Sequence, residues 1–302
     1  FKKARISLPG GCAIGTRPID IHLDGLSKLG AIINIENGFV NAEVAGNLMG
    51  NYIKLSFPSV GATENILMTS IFAKGKTIID NAAKEPEIID LANCLKSMGA
   101  KIVGEGTHQI VIEGITKLQK AKHIILSDRI VAGTYIIAAV MLNKKFEVNN
   151  LISSHLTALI KLLRKMGANL EVNKDSIIIA PSLKLHGIKI ETAPYPGLPT
   201  DLQAQLMALM SIVDGNSQIK ETIFENRFMH VSELNRLGAD IKVKKETAFI
   251  KGNRNFKGAQ VMASDLRASV SLVLAGLCAE GNTIINRVYH LDRGYEKIEE
   301  TL

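Results

Sequence analysis

Two rhythms of hydrophobic and polar positions succeed one another along this chain. Between Ala62 and Gly114, ATENILMTSIFAKG carries apolar residues at helical spacing and KTIIDNA alternates as a strand does. EPEIIDLANCLKSMG is helical again, and AKIVGEG and HQIVIEG read as two paired strands. The order α-β-α-β-β returns from Asp128 and from Thr200, and a partial copy begins at Asp265. A Leu-Gly-Ala or Met-Gly-Ala signal closes each second helix, with glycines at 30, 99, 167 and 238, at intervals of 69, 68 and 71 residues. Regular spacing of this kind predicts an α/β chain assembled from copies of one supersecondary unit.

The ends of the pattern are irregular. The first unit enters at its strand, ARISLPGG, with no apolar helix before it. The last stops at YEKIEETL, short of the signal that the period would put near position 308, roughly. With no initiator methionine, the expectation is a chain truncated at both ends.

A chain of 302 residues with 46% hydrophobic content can bury a large core and is expected to divide into two domains. The longest apolar run, IVAGTYIIAAVML from Ile130 to Leu142, falls short of the roughly 20 residues of a membrane span and reads as a core helix. Cys12, Cys94 and Cys278 form no CxxC pair and no metal-ligand spacing, which fits a reducing cytoplasm. The net charge of +7 points to anionic partners. With aromatics at 5%, no tryptophan and no run of five basic residues, small anions fit better than nucleic acid, and no membrane is implied.

Polar phrases open the apolar helices: SVGATEN at Ser59, SDRIVAG at Ser127, PTDLQAQ at Pro199 and ASDLRAS at Ala263. They read either as ordinary N-caps or, collectively, as helix tips gathered around an anion. At PTD, Thr200 is the expected cap and Asp201 is expected to point outward. The stretch SLPGGCAIGTRPID places Cys12 on a glycine-rich loop with Arg17 five residues on, where a cation would stabilise a thiolate. Cys94 and Cys278 lie on apolar helix faces and read as small core hydrophobes. His22, His230 and His290 have no spaced partner, so no metal or other cofactor is expected.

The phrases SLPGGCAIGTRPIDIHLDGL, FPSVGATENILM, NAAKEPEIIDLANCL, LPTDLQAQ, ETIFENRFMHVSELNRLGA, GAQVMASDLRASVSLVLAG and YHLDRGYEKIEE together resemble the UDP-N-acetylglucosamine enolpyruvyl transferase family, from end to end of the chain. The resemblance implies a two-domain inside-out α/β barrel of the enolpyruvyl transferase type. Residues 1–126 would form a partial first domain and 127–302 the second, with the active site in the cleft between them. It implies transfer of the enolpyruvyl group of phosphoenolpyruvate to the 3′-hydroxyl of UDP-N-acetylglucosamine by addition and elimination of phosphate, the first committed step of peptidoglycan synthesis.

On the same resemblance Cys12 is the proton donor to phosphoenolpyruvate and the target of fosfomycin, and Asp201 is the candidate base at the sugar hydroxyl. Arg17, Arg267 and Arg293, with Cys12, would hold phosphoenolpyruvate, as planar guanidinium groups suit phosphate and carboxylate. Arg17, Pro18, Ile19, Asp20, Ile21, Ser59, Val60, Gly61, Asp201 and Ile223 would contact the nucleotide sugar, and Arg227 resembles a residue of the same cleft. A family Lys-Asn pair near the N-terminus and an arginine ahead of the cysteine strand have no counterpart here, so this chain alone is expected to be inactive or poorly folded, while the intact gene product is expected to be an active transferase. Two alternatives stand beside this reading. One is the enolpyruvyl transferase acting on shikimate 3-phosphate, which lacks the cysteine loop; the other is a repeat-built nucleic-acid-binding protein.

Overall fold

The computed structural model describes residues 2–10 and 19–301. The chain falls into two compact units, one running to Leu126 and the other from Ser127.

The first unit opens with β1 (Lys3–Ser7), α1 (Asp20–Lys28), β2 (Ile32–Glu36) and β3 (Phe39–Glu43), whose strands form an antiparallel sheet in the order β1-β3-β2. A full repeat follows: β4 (Tyr52–Lys54), α2 (Val60–Ser70), β5 (Lys76–Asp80), α3 (Pro86–Ser97), β6 (Lys101–Val103) and β7 (Gln109–Glu113). These strands lie in the order β4-β5-β7-β6, with β4 parallel to β5 and the other pairs antiparallel. The alternation of Lys76–Asp80 and Gln109–Glu113 is borne out, since Ile79, Ile110 and Ile112 are fully buried. Strand β4, which the period-two reading missed, is only three residues long and too short for alternation to register.

The second unit contains α4 (Arg129–Leu142), β8 (Phe146–Asn149), α5 (Thr157–Met166), β9 (Asn169–Val172) and β10 (Ser176–Ala180). The next copy is β11 (Lys189–Glu191), α6 (Gln203–Ile212), β12 (Asn216–Lys220), α7 (Val231–Arg236), β13 (Asp240–Lys244) and β14 (Thr247–Lys251). Last come β15 (Gln260–Met262), α8 (Leu266–Leu277), β16 (Ile284–Asn286) and α9 (Ile298–Thr301). The sheets run β8-β10-β9, β11-β12-β14-β13 and β15-β16. The four signal glycines 30, 99, 167 and 238 all take φ between 98° and 103°, a region closed to most side chains, and so end their helices alike.

Helices α4, α6 and α8 pack on one another at the centre of the second unit. Their sequences are apolar on every side, and a helix of that kind has to be enclosed rather than laid on a surface. Nine of the ten residues of α6 are buried accordingly. The sheets cover this triplet, so the second unit holds its helices inside and its strands outside, as the expected inside-out arrangement requires.

Close approach at the helix tips depends on Gly133 of α4, where an added Cβ would lie 2.8 Å from Leu202 Cδ1 and 3.2 Å from Leu159 Cδ2. Leu202 is fully buried and belongs to the turn that precedes α6. Gly133→Val is therefore expected to lower stability by about 1–3 kcal/mol, the usual cost of overpacking, read as a lower urea midpoint at unchanged m-value.

Candidate active site

Asp201 sits in a 3-10 turn, Thr200–Leu202, that leads from Pro199 into α6. Its Oδ1 accepts from Arg227 Nη2 at 2.8 Å, and its Oδ2 accepts from Arg267 Nη2 at 3.0 Å and Nε at 3.2 Å. The side chains of Arg227 and Arg267 are 5% and 14% exposed, whereas 37% of Asp201 remains open. The carboxylate thus turns its oxygens to two enclosed cations and keeps an accessible edge.

Each cation is placed by its own element. Arg267 is the second residue of α8, whose N-cap Asp265 accepts from Arg267 N at 3.0 Å and Ala268 N at 3.1 Å. Arg227 comes from the β12–α7 connection, and its guanidinium lies 5.3 Å from the centre of the Phe224 ring. Buried Glu221 ties that connection to the Asp201 turn: one oxygen accepts from Ile223 N at 2.9 Å and Phe224 N at 3.2 Å, the other from the Thr200 hydroxyl at 2.9 Å. The candidate Ile223 is thereby fixed through its backbone.

This corrects the expectation for Thr200 and Asp201. Thr200 does not cap α6, which has no side-chain cap, because the 3-10 turn Thr200–Leu202 intervenes and makes Leu202 the residue before the helix; the Thr200 hydroxyl donates to Glu221 instead. Asp201 does not simply face outward, because the arginines of two other elements claim both its oxygens. Cys94 and Cys278 are half-buried rather than core residues. Burial still pushes the Cys278 thiol up to about 11, which leaves it protonated and unreactive near neutrality.

Opposing effects set the ionisation of the cluster. Burial pushes the Asp201 carboxyl up, but Arg267 and Arg227 outweigh it and hold the group below the usual carboxylate range. Arg267 loses by burial and gains more from Asp201, so its pKa is raised. His230, fully enclosed behind Arg227 and Asp265, is pushed down by burial to about 4 and is neutral at pH 7. Burial also raises Tyr295, which touches Arg267.

A second group of candidates assembles in the first unit. Ile19, Asp20 and Ile21 form the N-terminal tip of α1, and Ser59, Val60 and Gly61 that of the neighbouring α2. A Cβ on Gly61 would approach His22 Cε1 to 3.2 Å, and His22 Nδ1 lies 2.8 Å from Asn65 Nδ2, so the two tips touch. Ser59 caps α2, accepting from Ala62 N at 3.3 Å, and Asp128 and Asp265 cap α4 and α8 in the same way. Ordinary capping is thus present at three of the four polar phrases. Cys12, Arg17 and Pro18 lie outside the described residues. Arg293 is exposed in the turn just before Tyr295.

Beside the Asp201 turn a cavity of about 420 Å³ is lined by Arg129, Thr157, Lys161, Tyr195, Pro199 and Leu202, among others. Among the described residues no group of three His, Cys, Asp or Glu side chains could hold a metal ion, and no helix is long and apolar enough to cross a membrane. Sequence reasoning missed Tyr295, Thr134, Gln205, Glu221 and Asp265 as members of the site. Tyr295 stands inside one of the quoted phrases, but a neutral phenol away from a helix start carries no local signal of a site.

The whole chain, residues 1–302, matches the family model described as EPSP synthase (3-phosphoshikimate 1-carboxyvinyltransferase). It is 54% identical over 300 residues to a UDP-N-acetylglucosamine 1-carboxyvinyltransferase of Granulibacter bethesdensis, covering 99% of this chain and 71% of that one. A second such protein, from Mesorhizobium japonicum, is 53% identical over 302 residues, covering 100% of this chain and 72% of the other. Among solved structures, the enolpyruvyl transferase NikO of Streptomyces tendae superposes with a TM-score of 0.90 at 26% identity, covering 100% of this chain and 72% of that one. An EPSP synthase of Acinetobacter baumannii superposes at 0.70 and 21% identity, over 96% and 71%, and shares the fold.

The burial of His230 makes stability depend on pH with a definite sign. The unfolded chain binds a proton near pH 6.5 and the folded one only near about 4, so protons favour unfolding across that window. Urea unfolding is expected to show stability falling as pH drops from 6.5 towards 4, with a shallower fall in His230→Gln; parallel profiles for the two proteins would contradict it.

Proposed function

The chain belongs to the UDP-N-acetylglucosamine 1-carboxyvinyltransferases of the enolpyruvyl transferase family, and from that premise we propose the reaction and the roles of its residues. It transfers the enolpyruvyl group of phosphoenolpyruvate to the 3′-hydroxyl of UDP-N-acetylglucosamine and releases phosphate, the entry into peptidoglycan synthesis. Both substrates are small anions, in keeping with the net charge of +7. A cytoplasmic location, where both would be available, is part of this reading. So is the division into a first domain, residues 1–126, carrying Cys12 and the α1 and α2 tips, and a second, 127–302, carrying Asp201 and the arginines.

The observation that carries the reading is the Asp201 carboxylate held between Arg227 and Arg267. A carboxylate with two cations on its oxygens is a poor base, because protonation would strip both arginines of their partner. A substrate carrying phosphate and carboxylate competes for the same guanidinium groups, and bidentate bonds from Arg267 and Arg293 to those oxygens would loosen the hold on Asp201. The basicity of Asp201 then rises as the donor arrives, next to the hydroxyl it has to deprotonate.

In the addition step Asp201 takes the proton of the sugar 3′-hydroxyl. The oxygen bonds to C2 of phosphoenolpyruvate while the Cys12 thiol delivers a proton to the C3 methylene. In the elimination step C3 returns a proton to the Cys12 thiolate, the C2–C3 double bond reforms, and the C2–O bond to phosphate breaks, its electrons leaving with phosphate, which carries off the proton held by Asp201. The arginines stabilise the anionic tetrahedral intermediate through preorganised donors. Arg17, Pro18, Ile19, Asp20, Ile21, Ser59, Val60, Gly61 and Ile223 hold the nucleotide sugar, the open N–H groups at the α2 tip serving its diphosphate. Shikimate 3-phosphate is the rival acceptor.

In the intact gene product, phosphate release is expected to require both phosphoenolpyruvate and UDP-N-acetylglucosamine. Asp201→Asn should lower kcat by about 10²–10⁴-fold, the span typical of a lost general base, and Arg267→Lys should weaken kcat/KM for phosphoenolpyruvate. Fosfomycin should add once, at Cys12, as read by intact mass. Release that depends on shikimate 3-phosphate instead, or an adduct at Cys94 or Cys278, would sink the assignment.

A further inference from the structure

Behind the Asp201 cluster a chain of hydrogen bonds joins three elements, and the count of its protons suggests a direction. Thr134, on α4 and 1% exposed, donates its single hydroxyl proton to Ile130 O at 2.8 Å. Its oxygen then has two lone pairs left. Gln205 Nε2 takes one at 3.0 Å and uses its other hydrogen on Asp201 O, also at 3.0 Å. The remaining lone pair faces Tyr295 Oη at 2.8 Å. With the Thr134 proton placed on Ile130 O, we assign the tyrosine as the donor of this contact.

A tyrosine whose proton is committed can only accept from its other neighbours. Arg267 is one of them, its Nη1 3.4 Å from Tyr295 Oη while its Nη2 and Nε face Asp201, and the Gln205 amide is another. The Tyr295 ring is 3% exposed and packs with Val270, Leu291 and Ile298, so the hydroxyl cannot swing away. Arg267 is thus gripped at two edges: strongly by Asp201, and more loosely by an oriented neutral acceptor.

We propose that Tyr295 is a positioning residue for Arg267, keeping the guanidinium plane in place when an anionic donor draws it off Asp201, and that Thr134 sets the direction of the tyrosine's hydrogen bond. This rests on the reading of Arg267 as a phosphoenolpyruvate ligand given above. A neutral acceptor suits the task, since it neither competes with the substrate's charge nor leaves the arginine unpartnered once Asp201 lets go.

The test uses Tyr295→Phe, which keeps the buried ring and removes only the oxygen. Loss of one hydrogen bond to a charged group predicts a rise of about tenfold in KM for phosphoenolpyruvate and in its Kd by calorimetry with phosphoenolpyruvate alone. KM for UDP-N-acetylglucosamine should stay within about twofold. Thr134→Val should act in the same direction, Thr134→Ser should recover most of that loss, and adding Thr134→Val to Tyr295→Phe should cost little more, as expected for groups acting as one unit. Unchanged phosphoenolpyruvate parameters in Tyr295→Phe, or equal losses for both substrates, overturn the inference. An unsubstituted intact gene product that binds phosphoenolpyruvate without turnover overturns the transferase reading alone, the ratio of Kd values still deciding the role of Tyr295. Absence of binding overturns both.

Discussion

Asp201 faces a constraint that organises the second unit around it: two arginines, nearly enclosed, share one carboxylate. A guanidinium can be taken out of water only if its donors are met, and here a single aspartate meets part of the demand of both. Removing either charge type would leave the other stranded, so the three side chains stand or fall together. The remaining contacts of the site serve to bring them to one point.

Three independent pieces of chain have to arrive there. The turn at Thr200–Leu202 arrives because Gly133 lets α4 approach Leu202, and because Glu221 holds Thr200 on one oxygen and the Ile223–Phe224 backbone on the other. Arg267 arrives because Asp265 caps α8 and starts that helix at the right residue. Arg227 arrives along the connection that Glu221 tethers, resting on Phe224. Glu221 and Asp265 are buried polar groups with satisfied bonds, which is the condition for a rigid site.

The central helix triplet explains why the tips are available at all. Helices enclosed on every side by sheets present only their ends to the outside, so the N-terminal turns of α4, α6 and α8 are the natural place for polar chemistry. In the first unit the N-terminal turns of α1 and α2 also meet, at His22, Asn65 and Gly61, although α1 buries only Gly25. Caps and candidate ligands are the same residues or their neighbours, as at Ser59, which caps α2.

Much of this was written in the order of residues. The repeat, the helix-closing glycines and the apolar run of α4 follow from local periodicity and from the conformations that side chains permit, which need no knowledge of distant contacts. The candidate acids and arginines were legible because charge beside a helix start is a local signal, and the family resemblance rests on those same phrases. Tertiary structure alone decided that Asp201 turns inward to Arg227 and Arg267, residues 26 and 66 positions away. It alone sent the Thr200 hydroxyl to Glu221 and enclosed Tyr295 against Thr134, 161 positions distant. The physical reason is that a hydrogen bond depends on separation in space, and folding brings together donors and acceptors whose distance along the chain carries no periodic trace.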